Sequence, residues 1–414
     1  MKVCVAGLWH LGTVTAACLA AAGHDVTGWD ANEQTIADLR SGKPPVFEPG
    51  LAELIANGRI AFTTDHAEAV RGAEVVWVAY DTPVDDDDNA DVGFVMREIE
   101  SLLPHIDDGA LVLISSQLPV GSTRKLEAKA PHLRFGYSPE NLRLGKAIEV
   151  FTKPDRVVVG VRHDEDRERV TRLLAPITDR IEWMSVESAE MTKHALNAFL
   201  ATSVAFINEI AAICEHVGAD AKEVERGLKS EQRIGPKAYL GPGGAFAGGT
   251  LARDVVFLSA LGRENGVPTN LIGGVKASND AHRDWARRRL GELLGGVAGK
   301  QVAVWGLTYK PGTDTLRRSS AVELCRWLVS EGARVAAHDP AVTSIDVDGV
   351  ALYRDPLEAA NGAAALVVMT EWPDYRKIDG NAINCPLVLD ANRFLAAQLA
   401  GNPRIVYATV GKPV

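Results

Sequence analysis

The sequence predicts an α/β protein in which two doubly wound lobes flank a helical centre, and three observations carry that prediction. The chain opens as strand, glycine-bearing turn, helix and second strand. A middle stretch, residues 187–217, contains neither Gly nor Pro. The opening pattern then recurs beyond residue 300. Alternating β and α elements are the signature of a mostly parallel sheet with helices on its faces, and 414 residues suit two or three domains of about 150 residues.

Lys2–Ala6 reads as the first strand, followed by the loop Gly7-Leu-Trp-His-Leu-Gly12 and an Ala-rich helix to Ala22. Gly23-His24 turns the chain into a second strand, Asp25–Trp29, which ends on Asp30. Further strands are expected at residues 75–80, 111–115 and 157–161, completing a Rossmann-like domain over residues 1–190. Met191, Ala195, Phe199, Ala205, Ile210 and Cys214 keep an approximately helical spacing, so one long helix is predicted over residues 187–217. Its length suits a spine between domains or a subunit interface. A helical stretch, the Gly/Pro-rich loop 235–249 and more helix to about Leu294 complete a central helical domain, residues 191–295. Past the linker 295–300, Gln301-Val-Ala-Val-Trp-Gly306-Leu echoes Val3-Cys-Val-Ala-Gly7-Leu. Residues 333–339 echo 24–30, and 365–373 echo 75–83, so residues 296–414 are expected to form a second Rossmann-like domain.

Composition narrows the function. The net charge is −10 and no Lys/Arg run stands out, which argues against nucleic acid as a partner. Cys4, Cys18, Cys214, Cys325 and Cys385 are odd in number, scattered and without metal-ligand spacing. No disulfide framework or metal site is expected, and a reducing cytoplasm is. Glycine interrupts the N-terminus too early for a signal peptide, and no apolar run approaches the roughly 20 residues of a membrane span. The acidic run at residues 85–88, with Asp91, reads as a solvated loop.

A dinucleotide site needs glycine at the tight turn, where backbone meets the pyrophosphate, and where helix packs on strand. Gly7 and Gly12 supply the first and last, while Trp9 takes the middle position. Asp30 closes the second strand, placed to accept hydrogen bonds from the adenosine ribose. No Arg directly follows it, so NAD is favoured over NADP. The alternative is a Rossmann domain that has lost its dinucleotide, with Trp9 as its mark.

Ordered motifs run through nearly the whole chain: Glu48-Pro-Gly-Leu-Ala-Glu-Leu54, Thr82-Pro83, Leu118-Pro-Val-Gly-Ser-Thr123, Ser138-Pro-Glu-Asn-Leu142, and KHALNAFLATSVAFINE from Lys193. Arg233-Ile-Gly235, Gly248-Gly249, Gly306-Leu-Thr-Tyr-Lys-Pro-Gly-Thr-Asp314 and Thr370-Glu-Trp-Pro373 follow. With these the chain resembles the UDP-glucose/GDP-mannose dehydrogenase family. The resemblance implies an N-terminal NAD domain, a helical dimerisation core, a C-terminal domain that grips a UDP- or GDP-linked sugar, and a homodimer. Members of that family oxidise C6 of the sugar twice, from alcohol to carboxylate, consuming two NAD.

Hydride transfer from an alcohol needs a group that stabilises the developing alkoxide-like oxygen and takes or relays its proton. Lys193 and Asn197 stand four apart on one helix face and match the family's lysine and its partner asparagine. Outside this motif such a pair would read as a surface Lys beside a solvated Asn. By resemblance, Asp254 orients water and the lysine, Glu140 lies near the sugar, and Arg233 reaches the sugar of the neighbouring subunit. Gly248, Gly249 and Lys310 are expected at the substrate, and Leu11, Thr82, Gln117 and Arg317 at the cofactor.

The family's second oxidation uses a cysteine thiolate in Gly-Gly-Ser-Cys-Phe-Pro-Lys-Asp. Anchoring on Gly248 and Asp254 places Thr250 there, and a threonine hydroxyl is far less acidic than a thiol. Gln117, Leu144 and Arg318 replace the family's Thr, Glu and Glu at three further positions. These substitutions lead to an NAD-dependent dehydrogenase limited to one two-electron oxidation, giving an aldehyde or ketone, or an epimer if the hydride returns. Two other readings stay open: a four-electron 6-dehydrogenase working through a hydrated aldehyde, and a non-catalytic nucleotide-sugar-binding homologue.

Overall fold

A computed structural model describes every residue except Val84, residues 86–89, Asn141, Gly248 and Ala400. The chain divides into two compact units, Met1–Ala195 and Leu196–Val414.

The first unit is built on eight strands: β1 (Lys2–Ala6), β2 (Asp25–Trp29), β3 (Ile60–Thr63), β4 (Val75–Val78), β5 (Leu111–Ile114), β6 (Arg134–Tyr137), β7 (Val157–Val161) and β8 (Ile181–Met184). Their order in the sheet is β3-β2-β1-β4-β5-β6-β7-β8. Alternate residues of β1 feed opposite faces: Val3 and Val5 join one apolar core, Cys4 and Ala6 the other. Both faces are therefore covered, which is why these strands read as continuous apolar runs. The order reverses between β1 and β4, so the loops that follow them open a crevice at the carboxyl edge of the sheet. One pairing departs from the parallel expectation: β6 and β7 run antiparallel.

The long helix spans Val186–Val217, and Gly218, with φ +81°, follows its end. By length and composition it is apolar enough to cross a membrane, contrary to the expectation that no run comes close. Much of that apolarity is small side chains: Ala198, Ala201 and Ala205 pack against Val255, Leu258 and Val275.

In the second unit the long helix leads into Ala221–Ser230, Thr250–Glu264, Asn270–Arg283 and Trp285–Leu294. The helical stretch expected after the glycine loop, to about Leu294, is made of three helices, the first followed by Gly266 (φ +65°) and Pro268. A six-stranded parallel sheet follows: β9 (Gln301–Trp305), β10 (Arg334–His338), β11 (Val350–Leu352), β12 (Ala365–Val368), β13 (Leu387–Asp390) and β14 (Val406–Ala408), ordered β11-β10-β9-β12-β13-β14. The repeat extends to hydrogen bonds. Gly7 N donates to Trp29 O at 2.9 Å and Gly306 N to His338 O at 2.8 Å. Leu8 N donates to Asp30 Oδ2 at 2.8 Å and Leu307 N to Asp339 Oδ2 at 2.7 Å.

Candidate active site

The loop after β1 has the geometry that a dinucleotide requires. Gly7 has φ +89°, and a Cβ there would lie 2.7 Å from the Tyr80 ring. A Cβ on Gly12 would lie 1.7 Å from Gly7 O, so the helix His10–Ala21 can approach the strand only with glycine at that position. Asp30 is held by two backbone donors, Leu8 N and Asn32 N, the latter at 2.9 Å. The indole of Trp9 is 54% exposed and lines a surface cleft with Asn32, Thr35 and Lys43. Thr82 and Gln117 meet where the Thr82 hydroxyl donates to Gln117 O at 2.8 Å.

Three acids organise the rest of this unit's carboxyl edge. Glu48, 4% exposed, meets His10 Nε2 at 3.0 Å and accepts from Gly145 N at 2.7 Å and Ala147 N at 2.8 Å. It thus ties the cofactor loop to the segment that follows Glu140. Glu190, on the long helix and fully buried, accepts from Gly121 N, Thr123 N and the Thr123 hydroxyl at 2.6–3.0 Å. That explains the motif Leu118-Pro-Val-Gly-Ser-Thr123: its turn is stapled to the helix. Glu140 accepts from Leu142 N at 2.6 Å, and Lys193, 7% exposed, donates from Nζ to Glu140 O at 2.6 Å and lies 3.9 Å from Glu140 Oε1.

In the second unit, Asn197 donates from Nδ2 to Asp254, which is fully buried on the helix Thr250–Glu264. Thr250 is the first residue of that helix and is exposed, one turn before Asp254. The glycine loop before it is clamped by side chains. Asn208 Oδ1 accepts from Gly243 N at 3.1 Å, Asn279 brackets Phe246 through its N and O, both at 2.9 Å, and Asn392 Oδ1 accepts from Gly244 N at 2.7 Å. His282 donates from Nε2 to Gly243 O, and burial lowers its pKa, favouring the neutral ring. Gly249 carries φ +101° and lies against Arg318. Beside this loop is a cavity of about 170 Å³, lined by Gly244, His282, Arg283, Thr308, Arg318 and Asn392. Its lining holds two guanidinium groups and no carboxylate among the described residues; Arg283 is already paired with Glu323 at 2.7 Å, and the guanidinium of Arg318 brings positive charge suited to phosphate. Arg233 is 88% exposed and pairs with Glu231, Arg317 is exposed, and Lys310 is half-buried with Nζ over the Tyr309 ring. Gly248 lies outside the described residues.

Residues 1–178 match the NAD binding domain of the UDP-glucose/GDP-mannose dehydrogenase family, 187–281 its central domain, and 303–397 its UDP binding domain. The chain belongs to the UDP-glucose/GDP-mannose dehydrogenase family. It is 33% identical to a UDP-glucose 6-dehydrogenase of Pseudomonas aeruginosa over 100% of this chain and 98% of the relative. To one of Rhizobium meliloti it is 34% identical, with both chains covered in full. A solved UDP-glucose dehydrogenase of Pyrobaculum islandicum superposes with a TM-score of 0.87 at 30% identity, covering 99% of this chain and 98% of that one.

As a family member the chain is an NAD-dependent oxidoreductase acting on a nucleotide-sugar alcohol. Its glycine turn, close helix packing and oriented Asp30 fit the dinucleotide. All five cysteines of this dehydrogenase are buried, and burial pushes the thiols of Cys4, Cys18 and Cys325 up to about 12 and that of Cys385 to about 11. Cys214 is raised for the same reason. The sequence reading assigned no role to Glu190 and Asn208. Their signal was a polar stripe on an apolar helix, since Glu190, Lys193, Asn197 and Asn208 recur at helical spacing and all four are buried.

Proposed function

We propose that this dehydrogenase performs a single two-electron oxidation of a UDP- or GDP-linked hexose at C6 and releases the aldehyde. The observation that carries the reading is Thr250: the position that corresponds to the family's thiolate is a hydroxyl, and every thiol in the chain is buried with a raised pKa. NAD, when bound, supplies the hydride acceptor. Lys193 stabilises the substrate oxygen as its proton leaves and relays that proton onward, while Glu140 O holds the lysine in place. Asn197 is the partner of Lys193, one helical turn away, and Asp254 fixes its amide. Gly7, Leu11, Gly12, Asp30, Thr82, Gln117 and Arg317 hold the cofactor. Gly248, Gly249 and Lys310 are assigned to the substrate by their place in the sequence, and its phosphates suit the cavity beside Arg318. The domain division at residues 190 and 295 belongs to the same proposal.

The chain works as a homodimer in this reading, with Arg233 reaching the partner's sugar. Phe199, Phe206, Ile213 and Val217 support it: they lie 47–70% exposed on the long helix, the first three at seven-residue intervals. Retained Lys193–Glu140 and Asn197–Asp254 pairs favour catalysis over binding alone. They also leave a route to a hydrated aldehyde, in line with the relatives' activity. Anaerobic turnover of candidate nucleotide sugars, with NADH counted per sugar and the product identified by mass, separates the two. One NADH and an aldehyde are expected. Two NADH and a uronate overturn the proposal.

A further inference from the structure

The loop after β4 contains a charge that the cofactor must meet. β1 and β4 are neighbours, with Ala6 opposite Val78, and Ala79 N donates to Ala6 O at 2.8 Å. The chain from Tyr80 onward is thereby laid against the glycine loop, with the Tyr80 ring on Gly7. The next residue, Asp81, places its Oδ2 3.3 Å from Leu11 N, which donates to it. Leu11 N is among the first amides of the helix His10–Ala21, a turn whose donors have no partner within the helix. Trp9, at the N-cap, supplies no side-chain hydrogen bond, and no acid stands in the helix's own first turn. A carboxylate from a different strand's loop therefore occupies this seat. In dinucleotide-binding domains the pyrophosphate rests on that helix N-terminus.

We propose that Asp81 is an intramolecular competitor for the pyrophosphate seat. Its carboxylate holds the loop through the Leu11 amide while the seat is vacant, and must give up that amide when the dinucleotide arrives. It stays close to the incoming anion afterwards. Asp81 therefore weakens binding of both NAD and NADH and favours rapid release of the reduced cofactor. The inference rests on the cofactor assignment and not on how many hydrides the enzyme removes.

The test is calorimetric binding of NAD, ADP-ribose and adenosine to the wild type, Asp81→Asn and Asp81→Gly, at low and high salt. Asp81→Asn keeps the shape and an acceptor oxygen while removing the charge. Both variants are expected to bind NAD and ADP-ribose about tenfold more tightly at low salt, the scale of one unscreened like-charge contact. The gain shrinks as salt screens the repulsion, and adenosine, which lacks the pyrophosphate, shows no gain. Equal or weaker NAD binding by Asp81→Asn overturns the proposal, as does an equal gain with adenosine. If neither wild type nor variants bind NAD, the proposal falls together with the cofactor assignment, whereas binding without a difference between them overturns the proposal alone.

Discussion

Lys193 is held by a carbonyl, not by a carboxylate at bonding distance, so its replacement leaves no buried acid stranded. Lys193→Met should lower kcat by about a hundredfold or more, the scale of a lost proton-transfer group, with the dissociation constant for NAD unchanged in a binding titration. Gly12→Ala should act differently. Its methyl would enter the backbone at Gly7 O, so the helix must move off the strand. About 3 kcal/mol of stability is expected to go, as for a tightly overpacked core, and NAD binding with it. Urea denaturation and calorimetry on one preparation read both. Gly12 was legible because its neighbours in sequence form a recognisable loop. Asp81 was not: an acid in a polar loop four residues before an acidic run reads as solvated, and its proximity to Leu11 comes from the pairing of β1 with β4.

The long helix is secured at its start by two of its own acids, Glu187 and Glu190, which bond to other elements. Glu190→Ala strands the buried amide and hydroxyl of Thr123 and the part-buried amide of Gly121, so a loss of about 3 kcal/mol is expected in urea denaturation, with Glu190→Gln recovering part of it. Glu187, at the same end, is hydrogen-bonded by Arg162 and Arg124, and chiefly the Arg162 guanidinium holds its carboxyl down at about 2. A depressed carboxyl stabilises the fold fully above its ordinary value near 4.5, and that contribution is lost as pH falls from there through about 2. Glu187→Gln should therefore flatten the decline of the urea midpoint over that window and lower the midpoint at neutral pH. The helix itself was plain from a Gly- and Pro-free run ending at Gly218. Strands β3, β6, β8, β11, β13 and β14 were not marked out, since segments of three or four residues carry too few alternations to separate them from loops. The direction of β7 follows from the path of residues 138–156, which no local pattern encodes.

At the scale of the whole molecule, the exposed stripe on the long helix is the contact of the proposed homodimer, and Phe206→Glu is expected to shift sedimentation from that dimer to the monomer, since a charge buried in such a contact finds no partner. The two-lobed plan was legible because the same device is written twice, yet the copies differ in what they leave available. Asp339 is 4% exposed, and its Oδ2 already accepts from Leu307 N, Thr308 N, the Thr308 hydroxyl and Trp372 Nε1. A Cβ at Gly306 would meet Thr370 at 2.5 Å, so Thr370 stands where Tyr80 stands in the first lobe. Asp30 has one backbone donor on each carboxylate oxygen and keeps lone pairs for the proposed ribose diol, whereas Asp339 is almost closed off from solvent, with Oδ2 filled from its own lobe and Oδ1 accepting from Ala341 N. Saturation with NAD should accordingly plateau at one equivalent per chain, leaving the later lobe to a different guest.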